Sequence, residues 1–269
     1  VVVATNHTVR RDEDIAITLP DGSRTTGAVA GRDGGTDLVV LRVPPSLKSA
    51  RAAELRAADE PPRVGELVLA VGRPGDEGPT AALGIVSAVQ GPWRTWGGGE
   101  IERFVRLDLS VYDGFSGSPL VDARGRVIGI NSSALARGMP VTIPVATVER
   151  VVSQLLERGH VARGYVGLAI QPVRITESLR TRSGGSWEVG AMIVKVEPQG
   201  PADRAGVLLG DVVVAVDGEA VADPSEIGAL VGDRVGRTIE LTVVRGGSIA
   251  KVPVTVAERP RRTPDGREG

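Results

Sequence analysis

From Ile15 to Ile130 the chain repeats one pattern: a short apolar or alternating run, then turn residues, then another run. Ile15-Ala16-Ile17-Thr18-Leu19 alternates like a strand with one buried face, Pro20-Asp21-Gly22-Ser23 turns it, and Thr25 to Gly31 returns. Asp37 to Val43, Leu67 to Val71, Ala82 to Val89, Ile101 to Leu109 and Arg126 to Ile130 continue the series. Short strands and turns with almost no helical period predict a sandwich or barrel. The glycine-rich stretch Trp93 to Glu100 reads as a mobile loop. The first clear helix comes late. Val148, Val151, Val152, Leu155 and Leu156 share one helical face, and Gly159 closes it. A first domain is therefore expected over residues 1–159 and a linker over 160–164.

A second domain is expected over residues 165–257. Its strand-like runs are Ala191 to Val196, Val212 to Val216 and Ile239 to Val244, and Asp223-Pro224-Ser225-Glu226 is a capping box that starts a helix. Ile227, Leu230 and Val231 give that helix its apolar face. The arginine-, proline- and glycine-rich residues 258–269 predict a solvated, disordered tail.

Composition excludes several functions. A net charge of −1 argues against a nucleic-acid partner. With no cysteine and two histidines, neither thiolate chemistry nor a dedicated metal or cofactor site is expected. No apolar run reaches the roughly 20 residues of a membrane span. The chain opens Val1-Val2-Val3-Ala4 without methionine, so a processed or cut piece is expected, with any targeting segment or membrane anchor lying upstream.

The stretch Asp113-Gly114-Phe115-Ser116-Gly117-Ser118-Pro119 places a serine between glycines, ahead of a strand, turn and strand. Such a turn exposes the Ser116 hydroxyl and can aim the N–H groups of Gly114 and Ser116 at one point, as an oxyanion hole requires. An ordinary Gly/Ser hairpin loop fits the same residues. A nucleophilic serine needs a base and an orienting carboxylate. His160 reads as a plain exposed residue of the linker. His7 directly follows an apolar run, a position that suits either a rigid base or a structural loop residue. Asp37 heads an apolar strand, where a carboxylate must find a partner, although it could equally cap Gly34-Gly35-Thr36. The order His7, Asp37, Ser116 is that of chymotrypsin-like proteases. The hydrolase elbow Gly-x-Ser-x-Gly feeds a helix, and this serine does not.

Here the sequence resembles the HtrA (DegP/DegS-like) serine proteases. The resemblance rests on Ala4-Thr5-Asn6-His7, Gly31-Arg32-Asp33 with Thr36-Asp37-Leu38, Gly84-Ile85-Val86-Ser87, Asp108 with Gly114-Phe115-Ser116-Gly117, and Gly129-Ile130-Asn131. In the second domain, Arg163-Gly164-Tyr165-Val166-Gly167-Leu168, Pro201-Ala202 with Ala205-Gly206, and Gly210-Asp211 are similar to a PDZ domain of that family. The resemblance covers nearly everything but the tail. It implies a mainly-β chain: a chymotrypsin-like double β-barrel, its first barrel N-terminally truncated, then a PDZ α+β domain.

It further implies Ser116 as nucleophile, His7 as base and Asp37 as orienting carboxylate, with Gly114 and Ser116 N–H groups as oxyanion hole. Met139, Pro140, Val141 and Thr142 would line the primary pocket. Tyr165, Val166, Gly167, Leu168, Ile170, Ile227 and Val231 would hold the C-terminus of a peptide added as a strand. Unfolded or damaged proteins would be the substrates, the bacterial envelope the location, and a homo-trimer the assembly. The alternative is a catalytically inactive peptide-binding adaptor or chaperone-like protein. Some residues depart from the family pattern. Phe115 would narrow the primary pocket, Ser118 would stiffen the serine loop or alter its oxyanion geometry, and Pro140 removes a backbone donor. Missing strands ahead of His7 would leave that residue poorly supported.

Overall fold

A computed structural model describes residues 1–44, 51–73, 75, 78–109, 114–136, 139–221, 225–232 and 234–260. They divide into two units, Val1–Val161 and Ala162–Gly269.

In the first unit β1 (Val2–Thr5), β2 (Ile15–Thr18), β3 (Arg24–Asp33) and β4 (Leu38–Arg42) form an open sheet in the order β1-β4-β3-β2. The chain continues through β5 (Leu67–Gly72), β6 (Thr80–Gln90), the short pair β7 (Trp93–Arg94) and β8 (Glu100–Ile101), and β9 (Phe104–Asp108). β10 (Pro119–Asp122), β11 (Val127–Ala136) and β12 (Met139–Pro144) follow. Six strands close a barrel in the order β10-β11-β12-β9-β6-β5. A closed barrel beside an open half-barrel is the mainly-β architecture expected.

Period-two alternation sends Val68, Ala70, Val86, Val105, Leu120 and Ile128 into the barrel. Phe115 joins them at 1% exposure. Its ring lies against Gly72, where an added Cβ would meet it at 3.3 Å. The expectation that Phe115 narrows a substrate pocket is therefore corrected. A side chain this apolar gains about 2–3 kcal/mol from burial, and the barrel interior offers that.

Helix α1 (Val145–Arg158) ends at Gly159, whose φ of 75° suits a left-handed cap and whose N–H donates to the Leu155 carbonyl. Val148, Val151 and Leu155 pack on Leu38, Val40, Ile130 and Ile143, tying the open sheet to the barrel. Gly31 is required by that packing, since a Cβ there would lie 2.7 Å from the Gly159 oxygen. His160 is half-buried rather than fully exposed, its Nδ1 2.9 Å from the Arg158 carbonyl.

The second unit contains β13 (Gly164–Tyr165), β14 (Leu168–Arg174), α2 (Glu177–Ser183), β15 (Val189–Val196) and α3 (Pro201–Arg204). It continues with β16 (Val212–Val216), β17 (Glu219–Ala220), α4 (Ser225–Gly232), β18 (Thr238–Arg245), β19 (Ser248–Thr255) and β20 (Ala257–Glu258). The main sheet runs β14-β15-β16-β18-β19, with β17 on β16. Its core joins Val166, Ile193, Val213, Ile227, Val231, Leu241 and Val254. Asp223 and Pro224 of the expected capping box lie outside the described residues.

Two boundaries are corrected. Gly164 belongs to β13 rather than to a linker, and Glu258 pairs with it rather than opening a disordered tail. The Arg259 N–H donates to the Arg163 carbonyl, and its guanidinium stands 6.0 Å from the Tyr165 ring centroid. Residues 261–269 lie outside the described residues.

Asp211, 2% exposed, receives a two-point contact from Arg245 at 2.8 and 2.7 Å and the Leu208 N–H at 2.9 Å. Burial alone would raise its pKa. The Arg245 hydrogen bonds and charge and the Leu208 N–H outweigh burial and hold it below the usual 3.8. Removing the guanidinium leaves a buried carboxylate unpaired. Arg245→Ala is expected to destabilise the second unit by about 2 kcal/mol, at the low end because the arginine is partly exposed. Chemical unfolding followed against pH checks this. The folded-state value is depressed, so the pair's contribution is complete above about pH 4 and is lost as pH falls through the lower value. The variant's deficit should shrink in the same window.

Candidate active site

His7 and Asp37 meet because of strand register. β1 pairs antiparallel with β4, Val2 opposite Leu41 and Thr5 opposite Leu38. The residues just past β1 therefore face those just before β4. The Asn6 N–H donates to the Asp37 carbonyl at 2.9 Å, and a short 3-10 turn, Asn6–Thr8, aims the imidazole at the carboxylate. His7 Nδ1 lies 2.8 Å from Asp37 Oδ2, and the His7 N–H donates to Oδ1 at 3.0 Å. A carboxylate only accepts, so this contact calls for a proton on Nδ1, and in the neutral form of the ring Nε2 is then the lone-pair acceptor.

Asp37 is 4% exposed and has a φ of 58°, a left-handed conformation that aspartate tolerates better than most residues. It does not cap the preceding turn. Asp33 does, accepting from the Gly35 and Thr36 N–H groups and the Thr36 hydroxyl. Asp37 is left for His7, and it accepts a third donor, the Ser132 hydroxyl at 2.6 Å.

The support beneath this pair is stronger than the sequence predicts. Arg32 donates to Asn6 Oδ1 at 2.9 Å and to the carbonyls of Val9 and Arg11, and pairs with Asp12 at 2.6 Å. One guanidinium thus pins the loop that carries His7, and the expected weak support is not found. The stretch Trp93 to Glu100 is a hairpin rather than a mobile loop. Thr95 donates to the Gly35 carbonyl at 2.6 Å, and a Cβ on Gly99 would lie 2.3 Å from Gly35. Its glycines serve close backbone approach to the turn before Asp37.

Ser116 stands between Gly114 (φ 95°) and Gly117 (φ 85°). The Gly117 N–H donates to the Asn131 carbonyl, and a Cβ on Gly117 would lie 3.3 Å from the Thr5 nitrogen, two residues before His7. Ser118 fastens the loop from below. Its hydroxyl accepts from Asn131 Nδ2 at 3.1 Å, and Asn131 Oδ1 accepts from Thr142 at 2.8 Å. Neither the Gly114 nor the Ser116 N–H meets a backbone carbonyl among the described residues. The Ser116 hydroxyl itself lies 2.9 Å from the Ser133 hydroxyl and accepts the Ser133 N–H at 3.2 Å.

Of the expected pocket residues, Met139 is 44% exposed, whereas Val141 packs in the core and Thr142 is held by Asn131. The Pro140 side chain lies outside the described residues. Sequence reading missed Ser132 and Ser133. Serines in a strand carry no signal of their own.

In the second unit β14 is an edge strand, paired on one side with β15. Gly167, at φ 79°, turns the chain into it. The carbonyls of Val166 and Gly167 accept from Ala202 and Glu197, while neither N–H meets a backbone carbonyl among the described residues. Leu168 and Ile170 pack against the apolar core to which Ile227 and Val231 of α4 also belong. An open strand edge beside an apolar helix face is a place where an extended peptide can add.

A family model described as a trypsin-like peptidase domain matches residues 1–130, and one described as a PDZ domain matches residues 164–256. A probable periplasmic serine endoprotease DegP-like of Brucella suis biovar 1 (strain 1330) is 37% identical over 266 residues, 96% of this chain and 50% of that protein. The protein of the same name from Rhizobium meliloti (strain 1021) is 34% identical over 265 residues, 96% of this chain and 51% of that one. The chain spans about half the length of these curated relatives. Among solved structures, the HtrA-type protease AlgW with decapeptide matches with a TM-score of 0.77 at 32% identity, over 96% of this chain and 79% of that one. The serine endoprotease from Yersinia pestis matches with a TM-score of 0.73 at 27% identity, over 96% and 84%. With both domains matched in order and fold shared along almost its whole length, the chain belongs to the HtrA-type protease family.

Proposed function

We propose that this chain is a serine endopeptidase acting on unfolded polypeptides, with a PDZ domain that captures exposed C-termini. The observation that carries the proteolytic reading is the His7–Asp37 contact at 2.8 Å, built on a carboxylate that is 4% exposed. Ser116 Oγ attacks the scissile carbonyl while its proton passes to His7 Nε2. Asp37 keeps the ring oriented and stabilises the imidazolium. The Gly114 and Ser116 N–H groups receive the oxyanion; each such donor is worth about 3 kcal/mol in the transition state. His7 then gives its proton to the leaving amine, and water, deprotonated by the same imidazole, releases the acyl group. A peptide-binding adaptor without catalysis would leave the contact between His7 and the buried Asp37 carboxylate without a use.

The name of the Brucella suis relative contains the word periplasmic, and we place this protein in the bacterial envelope as well. Assembly as a homo-trimer, which the resemblance implies, belongs to the same reading.

At the PDZ domain, the Val166, Gly167 and Leu168 N–H groups receive the terminal carboxylate, and the peptide extends along β14. Charge-assisted hydrogen bonds contribute roughly 1.5–3 kcal/mol each. A peptide with an apolar free C-terminus is expected to bind at least about tenfold more tightly than its C-terminal amide. Titration calorimetry with the pair of peptides tests this, and equal affinities would place recognition elsewhere.

A further inference from the structure

Ser132 and Ser133 are neighbours on β11 and point to opposite sides, as strand residues do. Ser132 is buried and donates to Asp37, while Ser133 is exposed and contacts Ser116. The pairing of β11 with β12 shifts between Ser132 and Ala136. Such irregularities re-aim groups beside a site. Ser133 lies in that shifted stretch, and its N–H reaches Ser116 Oγ at 3.2 Å. Its hydroxyl shares a second hydrogen bond with Ser116 at 2.9 Å.

Among the described residues the Ser116 hydroxyl makes no hydrogen bond with His7, whose side-chain hydrogen bond goes to Asp37. A hydroxyl has one proton to donate. Either serine can be the donor in the contact between the Ser116 and Ser133 hydroxyls; whenever Ser116 is the donor its proton is turned to Ser133 and not to Nε2, and the attack described above cannot begin. We propose that Ser133 is a positioning residue that parks Ser116 in a resting orientation, so that the hydroxyl must be freed before it reacts. This rests on reading Ser116 as the nucleophile. A substrate strand laid beside the irregular stretch of β11 brings carbonyl oxygens that compete for the Ser133 N–H. Peptide binding would then loosen the hold as it delivers the scissile bond.

The test is the rate at which a fluorophosphonate labels the full 269-residue chain. In this reaction a serine oxygen bonds phosphorus, fluoride leaves, and the hydroxyl proton passes to the base. Ser133→Ala removes one of the two hydrogen bonds and is expected to speed labelling of Ser116 about fivefold, the usual weight of one neutral hydrogen bond. With a peptide substrate kcat should rise by a similar factor while KM stays put. Ser133→Thr keeps a hydroxyl and should return the slow rate. Circular dichroism confirms that each variant is folded.

If Ser133→Ala labels Ser116 no faster than the parent, or if Ser133→Thr is as fast as Ser133→Ala, the parking is overturned and the nucleophile assignment survives. If neither the parent nor Ser133→Ala is labelled at Ser116, the assignment itself falls, and the parking falls with it.

Discussion

Ser116→Ala is expected to lower cleavage of unfolded casein by about 10⁶-fold, leaving only the slow hydrolysis that binding and oxyanion contacts support. The effect is large because the hydroxyl is the one atom that forms the acyl bond. The fold should not suffer. Ser116 sits at a half-buried turn whose shape comes from Gly114, Gly117 and the Ser118–Asn131 contact, and none of these uses the Ser116 side chain. An unchanged thermal unfolding transition beside abolished cleavage is the expected pair of results. Cleavage that survives the substitution would assign the chemistry to another group.

The second large effect is expected from Asp37→Asn. The carboxylate accepts three donors: the His7 N–H, its Nδ1 and the Ser132 hydroxyl. An amide nitrogen facing Nδ1 is itself a donor, so the ring would present its lone pair to the new amide and its N–H to Ser116. The base would then hold a proton where it needs to take one. In a Ser-His-Asp protease this tautomer reversal costs about 10⁴-fold in kcat with the geometry preserved. Active-site titration and kcat measured on the same preparation separate a slow enzyme from a misfolded one. Ser132→Ala removes only the third donor and should cost far less, about tenfold at most, because the His7–Asp37 contact remains.

Much of this site is legible in the sequence itself. His7 and Asp37 stand at the ends of apolar runs, and antiparallel pairing of those runs brings their flanks together. Helix α1 is legible for a similar reason, since five apolar residues repeat along one face and Gly159 stops them. What escapes is set by partners distant in sequence. Ser132 reaches Asp37 across 95 positions, and nothing in its own neighbourhood marks it. The glycines of residues 97–99 signal loose chain in isolation, yet they allow the hairpin to touch Gly34 and Gly35 backbone to backbone. Phe115 reads as part of the serine loop, and only the closed barrel reveals the space its ring fills. At the far end, arginine-rich composition predicts disorder from residue 258, while pairing with β13 orders Glu258 and Arg259. β19 and α2 are also missed: β19 buries alternate residues against β18, and α2 begins at the Thr176 cap.

The central claim is that His7, Asp37 and Ser116 act as one unit. Residues that share a reaction step give non-additive losses. The most direct measurement is casein cleavage by the chain and by its His7→Ala, Ser116→Ala and doubly substituted forms. The account predicts that all three variants fall to the same residual rate. A His7→Ala protein that cleaves as fast as the parent, or a double variant whose loss is the product of the two single losses, would contradict it.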